Sequence, residues 1–282
     1  MVVLGHRLRT GHRHHVLRIP FVAGVLFVLL NAAPALADEY EVDLALQLAN
    51  PVAALISVPL QLNYESDIGP VDDGDRWFLN VQPVIPFDLS PRWNLISRTI
   101  LPVVRQQDIF PGAGSQTGLG DTVQSFFLSP KAPTANGWIW GAGPALLLPT
   151  GTDDLLTRDK WGAGPTVVFL KQANGWTRGV LANHIWSYAG ESDRDDVNAS
   201  FVQPFLTYTT PTSWSYSLTS EATYDWDAEE WAVPVNFNVS KVTRVGTQLL
   251  SIGGGVRYWV NDTANGPEGF GVRLNLTLLF PR

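Results

Sequence analysis

The chain has no cysteine, and its one methionine is Met1. Without disulfides an exported protein gains nothing from an oxidising compartment, so a hydrogen-bond network has to hold this one together. Past the first thirty residues no stretch approaches 18 consecutive apolar residues, so no later membrane-spanning helix is expected. Basic residues are outnumbered, 19 against 26 acidic. That balance argues against nucleic acid, whose binding rests on Lys and Arg contacts to phosphate. Histidine is scarce where chemistry would need it: His6, His12, His14 and His15 all precede the apolar run, and His184 stands alone after it.

The N-terminus reads as an export leader. Arg7, Arg9, Arg13 and Arg18 precede an apolar run of 12 residues, Ile19 to Leu30, and Ala35-Leu36-Ala37 supplies small residues for cleavage after Ala37. The run falls short of the roughly 20 residues of a bilayer-spanning helix, which disfavours an uncleaved anchor. The expected division is a signal peptide over 1–37, an N-terminal periplasmic segment over 38–52 and a β-barrel over 53–282. Losing the four leader arginines and no acid leaves 15 basic against 26 acidic residues, a formal charge of −11.

Beyond the leader the chain alternates. In the closing stretch Phe270, Val272, Leu274, Leu276, Leu278 and Phe280 share one strand face, while Gly271, Arg273, Asn275 and Thr277 share the other; only Leu279 breaks the pattern. The same two-faced pattern recurs, giving strands over 53–65, 76–89, 93–104, 118–130, 137–150, 160–173, 176–189, 198–210, 214–226, 231–241, 246–259 and 269–281. Odd strands lead into longer, mostly acidic loops and even strands into short turns, among them Asn174-Gly175, a strong hairpin signal. Val242 to Val245 is read as another such turn. Trp93, Trp138, Trp176 and Trp214 each follow a predicted turn. Trp77, Trp161, Trp186, Trp226, Trp231 and Trp259, with Tyr64, Tyr188 and Tyr258, gather at the opposite ends. Two aromatic belts and two unequal classes of connection predict an all-β fold, an antiparallel up-and-down transmembrane barrel of about twelve strands in a bacterial outer membrane. About twelve residues per strand at about 3.3 Å each, tilted roughly 40°, would span the apolar band of about 25 Å.

Sidedness then assigns a lumen. A basic side chain facing mid-bilayer lipid costs about 2–4 kcal/mol, so Arg98, Arg257 and Arg273 should point inward, with Glu221 beside them. Asn236 and Asn238 fall on the polar face of 231–241 and complete the expected channel lining. Pro83, Pro86, Pro102, Pro144, Pro165, Pro204 and Pro234 lie inside predicted strands, where each removes a ladder donor, so bulges or rim positions are expected there. Residues Glu41 to Asn50 read either as a short amphipathic helix ended by Asn50-Pro51, placed to cap or enter the periplasmic mouth, or as an extra strand. An apolar solute would need a greasy constriction or a side opening, which the alternation does not locate.

Chemistry beyond passage finds little support. Ser187 follows His184 by three residues, on the opposite strand face, which disfavours a direct nucleophile–base pair; another strand could supply a serine, though none is marked, and His184 reads as a lumen or rim hydrogen-bonding residue. Asp72-Asp73-Gly74-Asp75 and Asp193-Arg194-Asp195-Asp196 match no complete calcium loop and read as solvated acidic loops. Gly-Ala-Gly-Pro at 141–144 and 162–165 lacks the Lys and helix of a phosphate cradle; it reads as paired small positions on adjacent strands. No catalytic residue, metal site or cofactor is expected.

Several blocks resemble a known family: Asn50-Pro51-Val52-Ala53 with Leu55-Ile56-Ser57-Val58-Pro59, Gln82-Pro83-Val84-Ile85-Pro86-Phe87, and Trp93-Asn94-Leu95-Ile96-Ser97-Arg98-Thr99. Gly118-Leu119-Gly120-Asp121, Leu148-Pro149-Thr150-Gly151, Asn183-His184-Ile185-Trp186-Ser187 and Gly253-Gly254-Gly255-Val256-Arg257-Tyr258-Trp259 continue the series. Together they resemble a proteobacterial family of outer-membrane proteins labelled as transporters of the MetA-pathway of phenol degradation. The resemblance implies a barrel that passes small, often aromatic or apolar, compounds, and it brings no catalytic or binding residues with it. The ending departs from the usual barrel-assembly signal, since Pro281 and Arg282 come after the terminal aromatic Phe280. The partners expected are outer-membrane lipid and lipopolysaccharide, the barrel-assembly machinery and a small solute. The competing readings are a structural or adhesive barrel with a plugged lumen, a secreted β-sandwich, and an outer-membrane lipid hydrolase.

Overall fold

Backbone hydrogen bonding runs around the sheet without a free edge. In the computed structural model, which describes residues 39–263 and 265–281, fifteen strand segments form twelve staves because three staves are each interrupted once. They are β1 (Ile56–Ile68), β2 (Gly74–Val81 and Val84–Asp88), β3 (Trp93–Gln107), β4 (Ser115–Leu119 and Thr122–Pro130), β5 (Trp138–Leu148) and β6 (Lys160–Ala173). β7 (Trp176–Gly190), β8 (Asn198–Thr209), β9 (Trp214–Ser220 and Ala222–Asp225), β10 (Glu230–Val245), β11 (Gln248–Asn261) and β12 (Phe270–Phe280) complete the circle. Each stave pairs antiparallel with its sequence neighbours, and the cylinder closes where β1 meets β12, from Ile56 opposite Phe280 to Tyr64 opposite Val272. The fold is thus a closed, twelve-stranded, antiparallel up-and-down β-barrel with one short helix before it. The leader expected at 1–37 lies outside the described residues.

Burial follows the alternation. On β12, Phe270, Leu274, Leu276 and Phe280 are exposed, whereas Gly271, Arg273, Thr277 and Leu279 are buried. The outer surface is therefore apolar and the polar residues turn inward, the inverse of a water-soluble sandwich. Leu279, the sequence exception, turns inward as well. It packs with Leu44, Ala45, Leu55, Val242 and Leu249, so an apolar residue is wanted on the lumen side at that level.

Its partners Leu44 and Ala45 come from helix α1 (Glu39–Leu48), which settles the ambiguity of that segment in favour of a helix. Glu39 and Glu41 occupy the first turn, where the helix dipole favours negative charge. Gln47 donates a hydrogen bond one turn back to Asp43, at 2.6 Å. Asn50 ends the element, its Oδ1 accepting from the Val52 backbone N–H at 3.0 Å before Pro51 and Val52 lead toward β1.

Two sequence expectations need correction. The turn between β10 and β11 is Gly246-Thr247, not Val242 to Val245: Gly246 takes φ +61°, which glycine adopts without strain, so β10 runs on to Val245. The in-strand prolines only partly produce bulges. Pro234 does, with Val233 opposite Asn261 and Pro234 opposite Trp259. Pro102 faces an extra residue on β4, where Gly120 donates to its carbonyl at 2.9 Å. At Pro83, Pro86, Pro144, Pro165 and Pro204 the register continues unshifted. A proline lacks only its N–H, and the carbonyl still pairs, as when Thr99 donates to Pro83 at 3.1 Å.

Pro144 and Pro165 stand directly opposite each other on β5 and β6, each preceded by a glycine of the repeated Gly-Ala-Gly-Pro. A Cβ on Gly143 would lie 2.0 Å from the Phe126 carbonyl oxygen, and one on Gly164 would lie 1.7 Å from that of His184. Neighbouring backbones press in where side chains would crowd, but the glycines of the two repeats do not face each other: Gly143 lies opposite Thr166 and Gly164 opposite Ala145. At the β6–β7 hairpin Asn174 and Gly175 take φ of 51° and 79°, the two positive values a tight Asn-Gly turn requires.

The aromatic girdles form at both ends. At the turn end Lys171 caps Trp138 at 5.9 Å and Lys241 caps Trp214 at 5.5 Å. At the loop end Tyr64 lies against Trp77 at 4.7 Å, and Tyr224 against Trp231 at 4.9 Å. Trp259 departs from the girdle. It shares the inward face of β11 with Arg257, whose guanidinium lies 5.2 Å from its ring centroid.

Candidate functional site

The lumen has two unlike walls. One is built by β1, β2, β9, β11 and β12 and carries ions. Glu65 on β1 accepts from Arg76 at 2.7 Å and from Arg257 at 2.6 Å. Glu221, at the interruption of β9, accepts from Arg257 and, through both oxygens at 2.9 Å, from Arg273. Arg273 also donates to Asn63 at 2.7 Å. Staves from both sides of the β1–β12 seam are thereby tied by charge-assisted bonds, roughly twice as strong as neutral ones. Their burial leaves little freedom: the Glu65, Arg257 and Arg273 side chains are 1, 7 and 3% exposed.

The opposite wall, from β3 to β8, carries a large apolar patch among polar residues such as Asn94, Ser129, Thr166 and Thr177. Ile96, Phe127, Val168, Leu170 and Leu181 are buried on the inner face, with Val84, Ile139, Phe201 and Phe205 packed around them. Val52, from the strap after α1, inserts into this cluster. Sequence reasoning missed this wall because its outward residues, such as Leu128 and Phe169, are equally apolar and hide the alternation. It also missed Glu65, although Gln61, Asn63 and Glu65 alternate against Leu60, Leu62 and Tyr64 and mark the inner face of β1.

All six residues expected to line the lumen lie on the inner face. Glu221, Arg257 and Arg273 join in the ion network. Asn236 is fully buried on β10 opposite Arg257, and Asn238 accepts from Asn275 at 3.3 Å. Arg98 joins this network only through space, by its electrostatic interaction with Glu221. It donates to Gln82 at 3.2 Å, and among the described residues no carboxylate lies within ion-pair distance of it.

Helix α1 and its strap cross the turn-end mouth between these walls. Leu44 and Ala45 rest against the β10–β12 side, Gln172 of β6 donates to the Leu46 carbonyl at 2.9 Å, and Val52 reaches the apolar wall. Beneath the strap a cavity of about 220 Å³ remains, lined by Gln82, Arg98, Gln203, Phe205, Thr207 and Thr219 together with residues 47–51, 53 and 55.

His184 is not a lumen residue. It lies on the outward face of β7, stacked on Trp186 at 4.0 Å in the loop-end girdle. A neighbouring stave does supply a serine: Ser200 of β8 meets His184 Nδ1 at 2.7 Å. The Trp226 indole also donates to that hydroxyl, at 2.9 Å, and His184 Nε2 has no hydrogen-bond partner among the described residues. A base in a hydrolytic triad is oriented by a third group on its far nitrogen. The described residues provide none.

No family model and no curated protein matches the chain. Among solved structures, the fold is similar to that of an outer membrane channel from Pseudomonas putida F1. That channel is 16% identical, has a TM-score of 0.63, and is matched over 80% of this chain and 96% of its own. Outer membrane phospholipase A from Escherichia coli is 10% identical, matched over 79% of this chain and 92% of its own with a TM-score of 0.47. The enzyme from Salmonella typhi is 11% identical, matched over 86% and 98%, with a TM-score of 0.46. The first supports the fold; the other two are too distant to bear on it.

Proposed function

We propose that the chain is an outer-membrane channel that passes small solutes by diffusion along a lumen with one charged and one apolar wall, and that helix α1 narrows its periplasmic mouth. The two-walled interior inside an apolar exterior carries the reading: such a passage wets a polar group on one side and shelters a ring or chain on the other. The motif blocks that resemble the phenol-degradation transporters support small aromatic or apolar solutes, and the similarity to the Pseudomonas channel is in keeping with transport. On this reading the long acidic loops face lipopolysaccharide, and export proceeds through a cleaved leader.

The helix across the mouth also favours a second reading, a structural barrel plugged by its own segment. Planar-bilayer recording separates the two. Under the channel reading the mature protein gives unit currents of reproducible size, and deletion of residues 39–52 enlarges them. A deletion variant that is folded, as its heat-modifiable mobility shows, yet passes no current would overturn the channel and leave the plugged barrel. Liposome swelling with sugars, amino acids and phenolics would then rank the solutes.

A further inference from the structure

Counting lumenal charges exposes an imbalance. Arg76, Arg98, Arg257 and Arg273 face two carboxylates, Glu65 and Glu221. Both carboxylates are already engaged by Arg76, Arg257 and Arg273. Arg98 keeps one direct partner, the neutral Gln82, and feels Glu221 only through space, for a guanidinium that carries five donors. It borders the 220 Å³ cavity beneath the strap, where Phe205 and Val84 supply an apolar flank and Gln82 a further amide. A half-buried cation with spare donors, next to a void of mixed character, is suited to an anion.

We infer that this cavity binds a small aromatic carboxylate, its carboxyl group held by Arg98 and its ring laid against Phe205. This rests on the proposed passage of small solutes and names their charge. The planar guanidinium fork matches a carboxylate in two parallel bonds, which a neutral phenol cannot offer. Size agrees: an apolar cavity of about 150 Å³ admits benzene, so the larger volume here leaves room for a ring with its carboxyl group. Arg257 and Arg273 are less suited to the same part, because their terminal nitrogens already hold Glu65 and Glu221.

The test titrates the purified mature barrel in detergent with benzoate, and with benzyl alcohol as the neutral counterpart of similar size, followed by calorimetry. Benzoate should saturate the wild type, weaken about ten- to hundredfold in Arg98→Gln, and be partly restored in Arg98→Lys. Added salt should weaken benzoate and leave benzyl alcohol unchanged. Wild-type protein that ignores benzoate, or a folded Arg98→Gln barrel that binds it as well as wild type does, overturns the assignment. Should Arg98→Gln not fold, the salt series and Arg98→Lys decide: benzoate binding indifferent to both removes the site. Bilayer currents judge the channel separately. A barrel that conducts but takes no benzoate loses this site alone, and one that takes benzoate without conducting keeps the site and loses the channel.

Discussion

The two halves of the lumen wall reach the same closed geometry by different means. From β9 round to β2, few residues do the work: two glutamates and three arginines fix staves distant in sequence, and each contact has a direction. From β3 to β8, many residues share it, as Ile96, Phe127, Val168, Leu170 and Leu181 pack without directional bonds. A charged wall is intolerant of a missing partner, because the remaining ion is left buried and unpaired. An apolar wall loses only the contacts of the side chain removed and can partly relax.

The largest expected effect lies on the charged wall. Glu65→Gln leaves Arg257 and Arg76 short of a carboxylate and should destabilise the barrel by about 3–5 kcal/mol, read from urea unfolding in detergent. Leu170→Ala on the apolar wall should cost about 2–3 kcal/mol by the same measurement. If the two come out in the reverse order, the contrast between the walls is wrong. Outside both walls, Lys241→Ala removes a cation from over Trp214 in the turn-end girdle and should cost only about 0.5–1 kcal/mol.

The smallest effect is local and depends on pH. In the loop before β8, hydrogen bonds from Lys160 and then Ser187 hold the Asp196 carboxyl below the ordinary carboxylate range. A lowered carboxyl stabilises the fold above its ordinary value and loses that contribution as pH falls through the lowered one. Amide protection in residues 191–197, taken against intrinsic exchange at each pH, should therefore fall on acidification below the ordinary carboxylate range. In Asp196→Asn it should be low throughout. An unchanged profile in that variant would remove the ion pair from any part in ordering the loop.

The same contrast explains how much of the barrel is legible in the sequence. On β9, β10 and β12 polar and apolar residues alternate with few exceptions, so the outward and inward faces, Glu221 and Arg273 among them, are set by spacing. Staves β6 and β7 are bounded to within a residue because Asn174-Gly175 and the tryptophans after each turn punctuate them. The apolar wall is opaque, since a stave greasy on both faces carries no period. Trp259 is misplaced for a related reason: a tryptophan near a stave end suits a girdle, but its position on β11 puts it on the side of Arg257. Which arginine lacks a direct ion pair is beyond spacing altogether, because the carboxylate partners of Arg257 and Arg273 lie up to 192 residues away.

The seat of helix α1 is assembled from Leu55 just ahead of the first stave and from Val242, Leu249 and Leu279 on the last three. Until the last three staves have joined and β1 has closed on β12, that seat is incomplete. Docking of the helix is therefore expected to come late in assembly, after the staves that seat it have joined. A barrel stalled one stave short would leave the segment loose and open to protease, while a completed one would hide it.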